Sequence, residues 1–482
     1  MGARPDRRRR RRPRRGQPAP DVRPHPDPRR RRRRRLAHHR RPSASRLLPD
    51  HARQQPPDVP AGASPRRRRG RQGRPQARAQ PGGSRRWLRL VSGADPAVPF
   101  GVYVHVPFCA SRCGYCDFNT YTPGELGTGA DPESYLAALD IELRLAARRM
   151  DRDGILRPAE TVFVGGGTPS MLGADGLARL LDGVRDHIGL TPGAEITTES
   201  NPESTSPEFF DRLRTAGFTR VSLGMQSAAG NVLAVLERRH TPGRPIAAAR
   251  EARAAGFEHV NLDMIYGTPT ETDDDVRATL DAILSAEVDH VSAYSLIVED
   301  GTAMARKVNR GLLPAPDEDV LADRYQLIDD ALRGAGFDWY EVSNWARPGG
   351  ECRHNIGYWR DGDWWGAGPG AHSHLGGVRF FNVKHPRTYA AACERGELPV
   401  KDSEQLSDAD RHTEKLMLGL RLRDGVTEAD LRPGSERVIA GYVDSGLLCW
   451  IDRGRGGRNL ALTDSGRLLA DGIIADILVA ED

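Results

Sequence analysis

The sequence predicts an α/β protein: a partial (β/α)6 barrel, preceded by a disordered N-terminal arm and followed by a small α+β, winged-helix-like C-terminal domain. Three features lead there. From residue 101, short β-branched runs alternate with Ala/Leu/Arg-rich amphipathic stretches. Past residue 310 this rhythm weakens into an aromatic, Gly- and His-rich region, then helical patterns and a hairpin. The first 95 residues have almost no apolar side chains to bury. The divisions expected are 1–96 for the arm, 97–325 for the barrel, 326–404 for the aromatic region and 405–482 for the last domain.

The arm holds the basic charge. Residues 1–95 carry 31 Arg, no Lys and 6 acids, a net of +25, and the other 387 residues carry a net of −19. Arginine runs at 7–12, 29–35 and 66–69 lie among Pro, Ala and Gly, a composition that stays disordered. Such an arm reads either as a polybasic tether to RNA or anionic lipid, or as an inert extension. The clean start of the folded pattern near Phe100 favours the extension. The acidic remainder argues against a specific nucleic-acid surface. No apolar run approaches the length of a membrane span and no signal-peptide core is present, so a soluble, cytoplasmic protein is expected.

In the barrel, the strand candidates are Val102–Val106, Thr161–Val164, Glu195–Glu199, Arg220–Gly224, His259–Ile265 and His290–Ile297. The helical patterns are Pro132–Arg149, Gly173–His187, Pro207–Ala216, Asn231–Arg238, Pro245–Ala255 and Thr272–Ala286. Strand-helix alternation of this kind places functional residues at the C-terminal ends of strands. In the last domain, a hairpin is expected from Leu447–Ile451 and Leu460–Thr463 through Arg455-Gly456-Gly457, followed by a helix over Ser465–Leu478.

Six cysteines occur, and three of them fall in Cys109-Ala-Ser-Arg-Cys113-Gly-Tyr-Cys116, directly after the first strand. Three thiolates on one loop suit a 4Fe-4S cubane with one iron left open. The open iron can chelate S-adenosyl-L-methionine (SAM) through its amino and carboxylate groups, and an electron from the reduced cluster can then cleave SAM to a 5′-deoxyadenosyl radical. A structural zinc site wants four ligands, usually from paired hooks, and no fourth Cys follows for more than two hundred residues. Gly165-Gly166-Gly167-Thr168-Pro169 ends the second strand, where glycines let a ligand approach the backbone edge. The scattered Cys393 and Cys449 read as packing residues.

From about residue 100 onward the chain resembles the oxygen-independent coproporphyrinogen III oxidase family of radical SAM proteins, and within it the heme-chaperone branch. The resemblance rests on Tyr103-Val-His-Val-Pro-Phe-Cys109, Gly165-Gly-Gly-Thr-Pro-Ser170, Glu199-Ser-Asn-Pro202, Ser222-Leu-Gly-Met-Gln226, Arg238-Arg-His240 and Asn261-Leu-Asp-Met-Ile-Tyr-Gly267. It implies SAM contacts from Tyr103, Tyr115, Gly166, Gly167, Thr168, Glu199, Gln226, Arg238 and Asp263. Carboxylates at 199 and 263 can accept from the SAM amine or ribose, and Arg238 can pair with its carboxylate.

The oxidases place a further Cys two residues after the third, where this chain has Phe118. They also use an N-terminal segment that the Arg-rich arm does not resemble. Both departures put catalytic turnover of a tetrapyrrole in doubt. The aromatic region includes Cys352-Arg-His354-Asn355-Ile-Gly-Tyr358-Trp359, which resembles the heme-binding signature of the chaperone branch. His354 could ligate iron, with Cys352 as an alternative donor, while Tyr358 and Trp359 pack on a macrocycle. The resemblance implies heme as a bound group and heme-accepting hemoproteins as partners. Peripheral membrane association and a homodimer stay open.

Overall fold

The computed structural model describes residues 98–126 and 131–481; the predicted arm lies outside them. All six predicted strands are present: β1 Phe100–Val106, β2 Ala159–Gly166, β3 Leu190–Ser200, β4 Arg220–Gln226, β5 His259–Tyr266 and β6 His290–Ser295. They pair in parallel in chain order. The intervening helices include Pro132–Arg152, Gly173–His187, Pro207–Ala216, Arg244–Ala254 and Asp273–Ser285. Their starts follow from local chemistry. Asp131 with Ser134, and Thr272 with Asp275, form reciprocal capping boxes. Ser206 caps Pro207–Ala216, and Gly217 ends it at φ 110°.

Side chains alternate across each strand. Val102, Val104, Val162, Val164, Ile196, Val221, Leu223, Val260 and Leu262 pack against Leu139, Leu143, Leu180, Leu181, Phe210 and Ala248 of the helices. Each such residue, fully buried, contributes roughly 1.5–3 kcal/mol. The opposite face carries Tyr103, Thr161, Glu195, Glu199, Arg220, Ser222, Asn261, Asp263 and His290. A buried polar group left unpaired costs about 1–3 kcal/mol, so this inner face must be held by hydrogen bonds.

Residues 326–404 extend the same sheet at both edges. On the β6 side come β7 Asp338–Glu341 and β8 Asn344–Ala346. On the β1 side come β9 Asp363–Ala367, β10 His372–Leu375, β11 Val378–Asn382 and β12 Val400–Gln405. β9 lies parallel to β1, while β8 is antiparallel to β6. The result is a 12-stranded sheet ordered β12-β11-β10-β9-β1-β2-β3-β4-β5-β6-β8-β7.

The helix predicted over 231–238 runs Gly230–Val235 and stops early. Glu237 adopts φ 55°, and this turn brings Arg238 back toward β4. At the C-terminus the predicted hairpin is present as β14 Leu448–Asp452 and β15 Arg458–Leu462. A two-residue strand, β13 Val426–Thr427, joins β15. The last helix begins later than its pattern suggested, at Ala470, and runs to Glu481. Leu416, Leu420, Ile439, Leu448, Leu460, Ile473 and Ile477 form a core for this part. Arg467 ties it to the helix Glu318–Gly334 through Asp329 at 2.7 Å.

Candidate cluster and cofactor site

The cysteine loop leaves β1 and is folded back by its own backbone. Cys109 N donates to Tyr121 O at 3.0 Å and Tyr121 N to Pro107 O at 2.8 Å. Asn119 side-chain Nδ2 donates to Pro369 O and Lys384 O at 3.0 and 2.9 Å, which clasps the loop to the β9–β10 turn and the segment after β11. His105 Nε2 reaches Asn119 O at 3.0 Å. Burial in this setting lowers the His105 pKa to about 4.

The three thiols are half-buried and free of disulfides. Thr168 Oγ1 donates to Cys109 Sγ at 3.6 Å, and Arg238 Nη1 to Cys113 Sγ at 3.7 Å. Burial raises the Cys109 thiol and pushes Cys116 up to about 11. Bound iron would reverse that, since a coordinating thiol is deprotonated outright. Among the described residues no three Cys, His, Asp or Glu side chains close on a single ion position. A cubane does not ask for that, because each thiolate binds its own iron. The donor set therefore fits a three-thiolate cluster.

Beside the thiols runs the glycine-rich end of β2. Gly167 N donates to Val106 O at 2.8 Å and Thr168 N to Phe108 O at 2.7 Å. A Cβ on Gly167 would sit 2.5 Å from Phe108 O, so only glycine allows this approach. Gly166, at φ 107°, donates its N–H to Glu199 Oε2 at 3.0 Å. Burial, with Asp263 nearby, lifts the Glu199 pKa to about 8. Asp263 is also raised by burial, though it accepts from Ser222 Oγ at 3.1 Å and Asn261 Nδ2 at 2.6 Å.

Gln226 sits at φ 70° where the β4–β5 register shifts, at the end of β4. Arg238 donates to Gly224 O and His240 Nε2, both at 3.0 Å. Tyr103 OH meets His105 Nδ1 at 3.0 Å, and its ring stacks on Phe163. Tyr115 lies between the second and third thiols, its phenol pKa raised by burial. The residues expected at SAM thus gather from the ends of β1–β5 around the cysteine loop. A cation beside one thiol, acceptor carboxylates and an open glycine edge fit the amino acid and ribose ends of SAM.

The residues expected at heme lie elsewhere. His354, Asn355, Tyr358 and Trp359 occupy the helix Arg353–Trp359. His354 is 3 % exposed, stacks on Phe163 at 5.3 Å between centroids, and meets Thr161 Oγ1 through Nδ1 at 2.8 Å. Its Nε2 meets Tyr358 OH at 2.8 Å. Thr161 pairs with Gly101 near the starts of β1 and β2, whereas the cysteines follow the end of β1. At ~3.3 Å per residue, the five steps from Gly101 to Val106 separate the two places by about 16 Å. Asn355, Tyr358 and Trp359 are half-buried. Cys352 is buried and its Sγ faces Glu195 Oε1 at 3.5 Å. Cys393 is fully buried beside Tyr389 and Ala138, as a packing residue would be.

Sequence reasoning missed the groups that brace this inner face. Glu195 pairs with Arg220 at 3.2 Å. His290 meets Asn261 Oδ1 at 2.7 Å and Tyr340 OH at 2.8 Å. The signal was present as polar residues at every second strand position facing the same way as Tyr103 and Asp263.

A model of the radical SAM superfamily matches residues 103–283. The heme chaperone HemW of Mycobacterium tuberculosis H37Rv is 58% identical over 383 residues, covering 80% of this chain and 96% of that protein. The heme chaperone HemW of Escherichia coli K12 is 31% identical over 399 residues, covering 80% of this chain and 99% of its own. Coproporphyrinogen III oxidase (HemN) from Escherichia coli, a radical SAM enzyme, superposes with a TM-score of 0.68 at 24% identity, over 81% of this chain and 92% of that one. No helix among the described residues is long and apolar enough to cross a membrane. With a radical SAM domain behind its cysteine loop and near-complete coverage of these chaperones, the chain belongs to the heme chaperone HemW family of the radical SAM superfamily.

Proposed function

We propose that the protein binds heme and delivers it to hemoproteins, carrying a 4Fe-4S cluster on Cys109, Cys113 and Cys116 and SAM against the strand ends. The observation that carries this reading over tetrapyrrole decarboxylation is Phe118. It stands where the oxidases have a further cysteine, and its side chain is 45% exposed at the edge of the cysteine loop. The heme chaperones that this chain matches support the same reading.

Bound to three thiolates, a cubane supplies one open iron and a store for one electron. The chain's own residues supply the rest. Arg238 holds positive charge beside Cys113 and can pair with the SAM carboxylate. Glu199 and Asp263 present acceptors, while Gly166, Gly167 and Thr168 keep the β2 edge open to a close-lying ligand. Tyr358, Trp359 and Asn355 offer half-buried surface for a flat apolar macrocycle. Heme-accepting hemoproteins are the partners and the cytoplasm the setting in this reading.

The test is one anaerobically reconstituted sample, titrated with heme and then assayed on coproporphyrinogen III with SAM and reductant. A clear Soret band with no decarboxylated product is expected. Release of decarboxylated porphyrinogen together with 5′-deoxyadenosine would sink the chaperone reading in favour of an oxidase.

A further inference from the structure

His354 is placed as no axial ligand to an accessible heme could be. Both ring nitrogens are engaged, Nδ1 with Thr161 Oγ1 and Nε2 with Tyr358 OH, each at 2.8 Å. One face of the ring lies on Phe163 at an interplanar angle of 25°. Gly101 lies so close that a Cβ there would stand 3.1 Å from Nδ1. A porphyrin needs a bare nitrogen facing a slot several ångströms deep and wide. Only 3 % of His354 is exposed.

The backbone that carries His354 is stitched down as firmly. Glu195 accepts the N–H of His354 on Oε1 at 3.0 Å and that of Arg353 on Oε2 at 3.1 Å. Arg220, paired with Glu195, donates to Gly350 O and Glu351 O at 2.6 and 3.0 Å. Tyr340 OH accepts Cys352 N–H at 3.2 Å. Residues 350–354 therefore form a floor under the barrel, and His354 is the side chain that fills it. Freeing its Nε2 for iron would break the 2.8 Å bond to Tyr358 OH, and turning the ring out would leave Thr161 and Phe163 facing a void.

We propose that His354 is a positioning residue and not the iron ligand: it seats the helix Arg353–Trp359 in the barrel floor and orients Tyr358, while the iron takes its protein ligand from another residue. The statement about iron rests on the heme-binding reading above. The statement about the floor stands without heme.

The test compares wild-type full-length protein with His354→Ala and His354→Gln, with and without heme. Glutamine can bond Tyr358 through the place of Nε2 but is no match for imidazole on ferric heme. Without heme, His354→Ala should melt roughly 3–6 °C below wild type, and His354→Gln should recover at least half of the difference. With heme, His354→Gln should keep the wild-type EPR g values and the wild-type iron–ligand bands in resonance Raman. Loss of that ligand signature in His354→Gln overturns the proposal, as does a heme-free His354→Ala that melts like wild type. If wild-type protein takes up no heme, the chaperone reading fails, and the heme-free melting series alone decides whether His354 holds the floor.

Discussion

The Tyr340 hydroxyl stands 2.8 Å from His290 Nε2, at one end of a relay whose direction the other ring nitrogen sets. His290 Nδ1 faces Asn261 Oδ1 at 2.7 Å, and an amide oxygen only accepts, so Nδ1 carries the hydrogen. Nε2 is then bare and accepts the Tyr340 proton, while the Tyr340 oxygen accepts from Cys352 N–H. Asn261 Nδ2 donates in turn to Asp263 Oδ1 at 2.6 Å. From the floor of the barrel to a carboxylate expected at SAM, every donor points the same way. Such a chain polarises along its length and stabilises the charge at its end.

Breaking it at Tyr340, its first side chain, should be felt as far as Asp263. Tyr340→Phe leaves two buried groups short of a partner, at about 1–3 kcal/mol by urea unfolding. The same variant should bind SAM several-fold more weakly in equilibrium titration of the reconstituted protein. Unchanged stability together with unchanged SAM affinity would mean the relay is incidental.

Each of Cys109→Ala, Cys113→Ala and Cys116→Ala should abolish the iron–sulfur chromophore after anaerobic reconstitution. Cys352→Ala, Cys393→Ala and Cys449→Ala should load a full cluster by iron and sulfide analysis. A cluster lost with Cys393→Ala or Cys449→Ala would show the three-thiolate assignment to be wrong. Adding SAM to the reduced cluster should perturb its EPR spectrum, since three thiolates would leave one iron open; a spectrum that does not move would speak for a closed site.

Gly167→Ala forces a methyl group to within 2.5 Å of Phe108 O and 2.9 Å of Val106 O, both rigid backbone. The loop that carries the cysteines must shift, so cluster yield should fall severely. Gly124→Ala, whose Cβ meets nothing within 4 Å, is the matched control and should load normally. Equal yields for the two would refute the close-approach role of Gly167.

Glu142 is buried on the helix Pro132–Arg152, where it accepts Gly368 N–H and Asn382 Nδ2 at 2.8 and 2.7 Å and is bonded by Tyr389. Burial outweighs those bonds and raises its pKa to about 7. A carboxyl with a raised folded pKa adds stability that is full below its unfolded value and is lost as pH climbs through the folded one. Relative to wild type, Glu142→Gln should therefore gain about 2–3 kcal/mol between pH 5 and pH 8. Denaturant melts of cluster-free protein at the two pH values check it. A difference that stays constant with pH would place the Glu142 pKa well below 5.

The strands and helices of the barrel were legible because their signals are local. Val102–Val106 and Val260–Leu262 alternate, and Ser206 and Thr272 cap helices in sequence. The cysteine loop and glycine edge were legible through spacing alone. The edge strands were not. β9 finds β1 across more than two hundred and fifty residues, and nothing in Asp363–Ala367 announces a parallel partner. The location of His354 was hidden for the same reason, since only the pairing of Gly101 with Thr161 makes the niche it fills. Glu237 and Gln226 at positive φ redirect Arg238 and the end of β4 against the propensity of their residue types, as residues at functional sites often do.

The clasp on the cysteine loop has a bearing on biosynthesis. Asn119 closes onto Pro369, 250 residues downstream, so the loop can take its final form only when three-quarters of the chain has been made. At ~5–20 residues per second the ribosome needs roughly 12–50 s to cover that distance. Throughout that interval the three thiols belong to a loop without its anchor, exposed to oxidants and to stray metal ions. Iron–sulfur loading, on the proposed reading, would thereby come late, after the β9–β10 turn has emerged, and a cell short of cluster donors would accumulate a finished barrel with an empty, oxidisable loop.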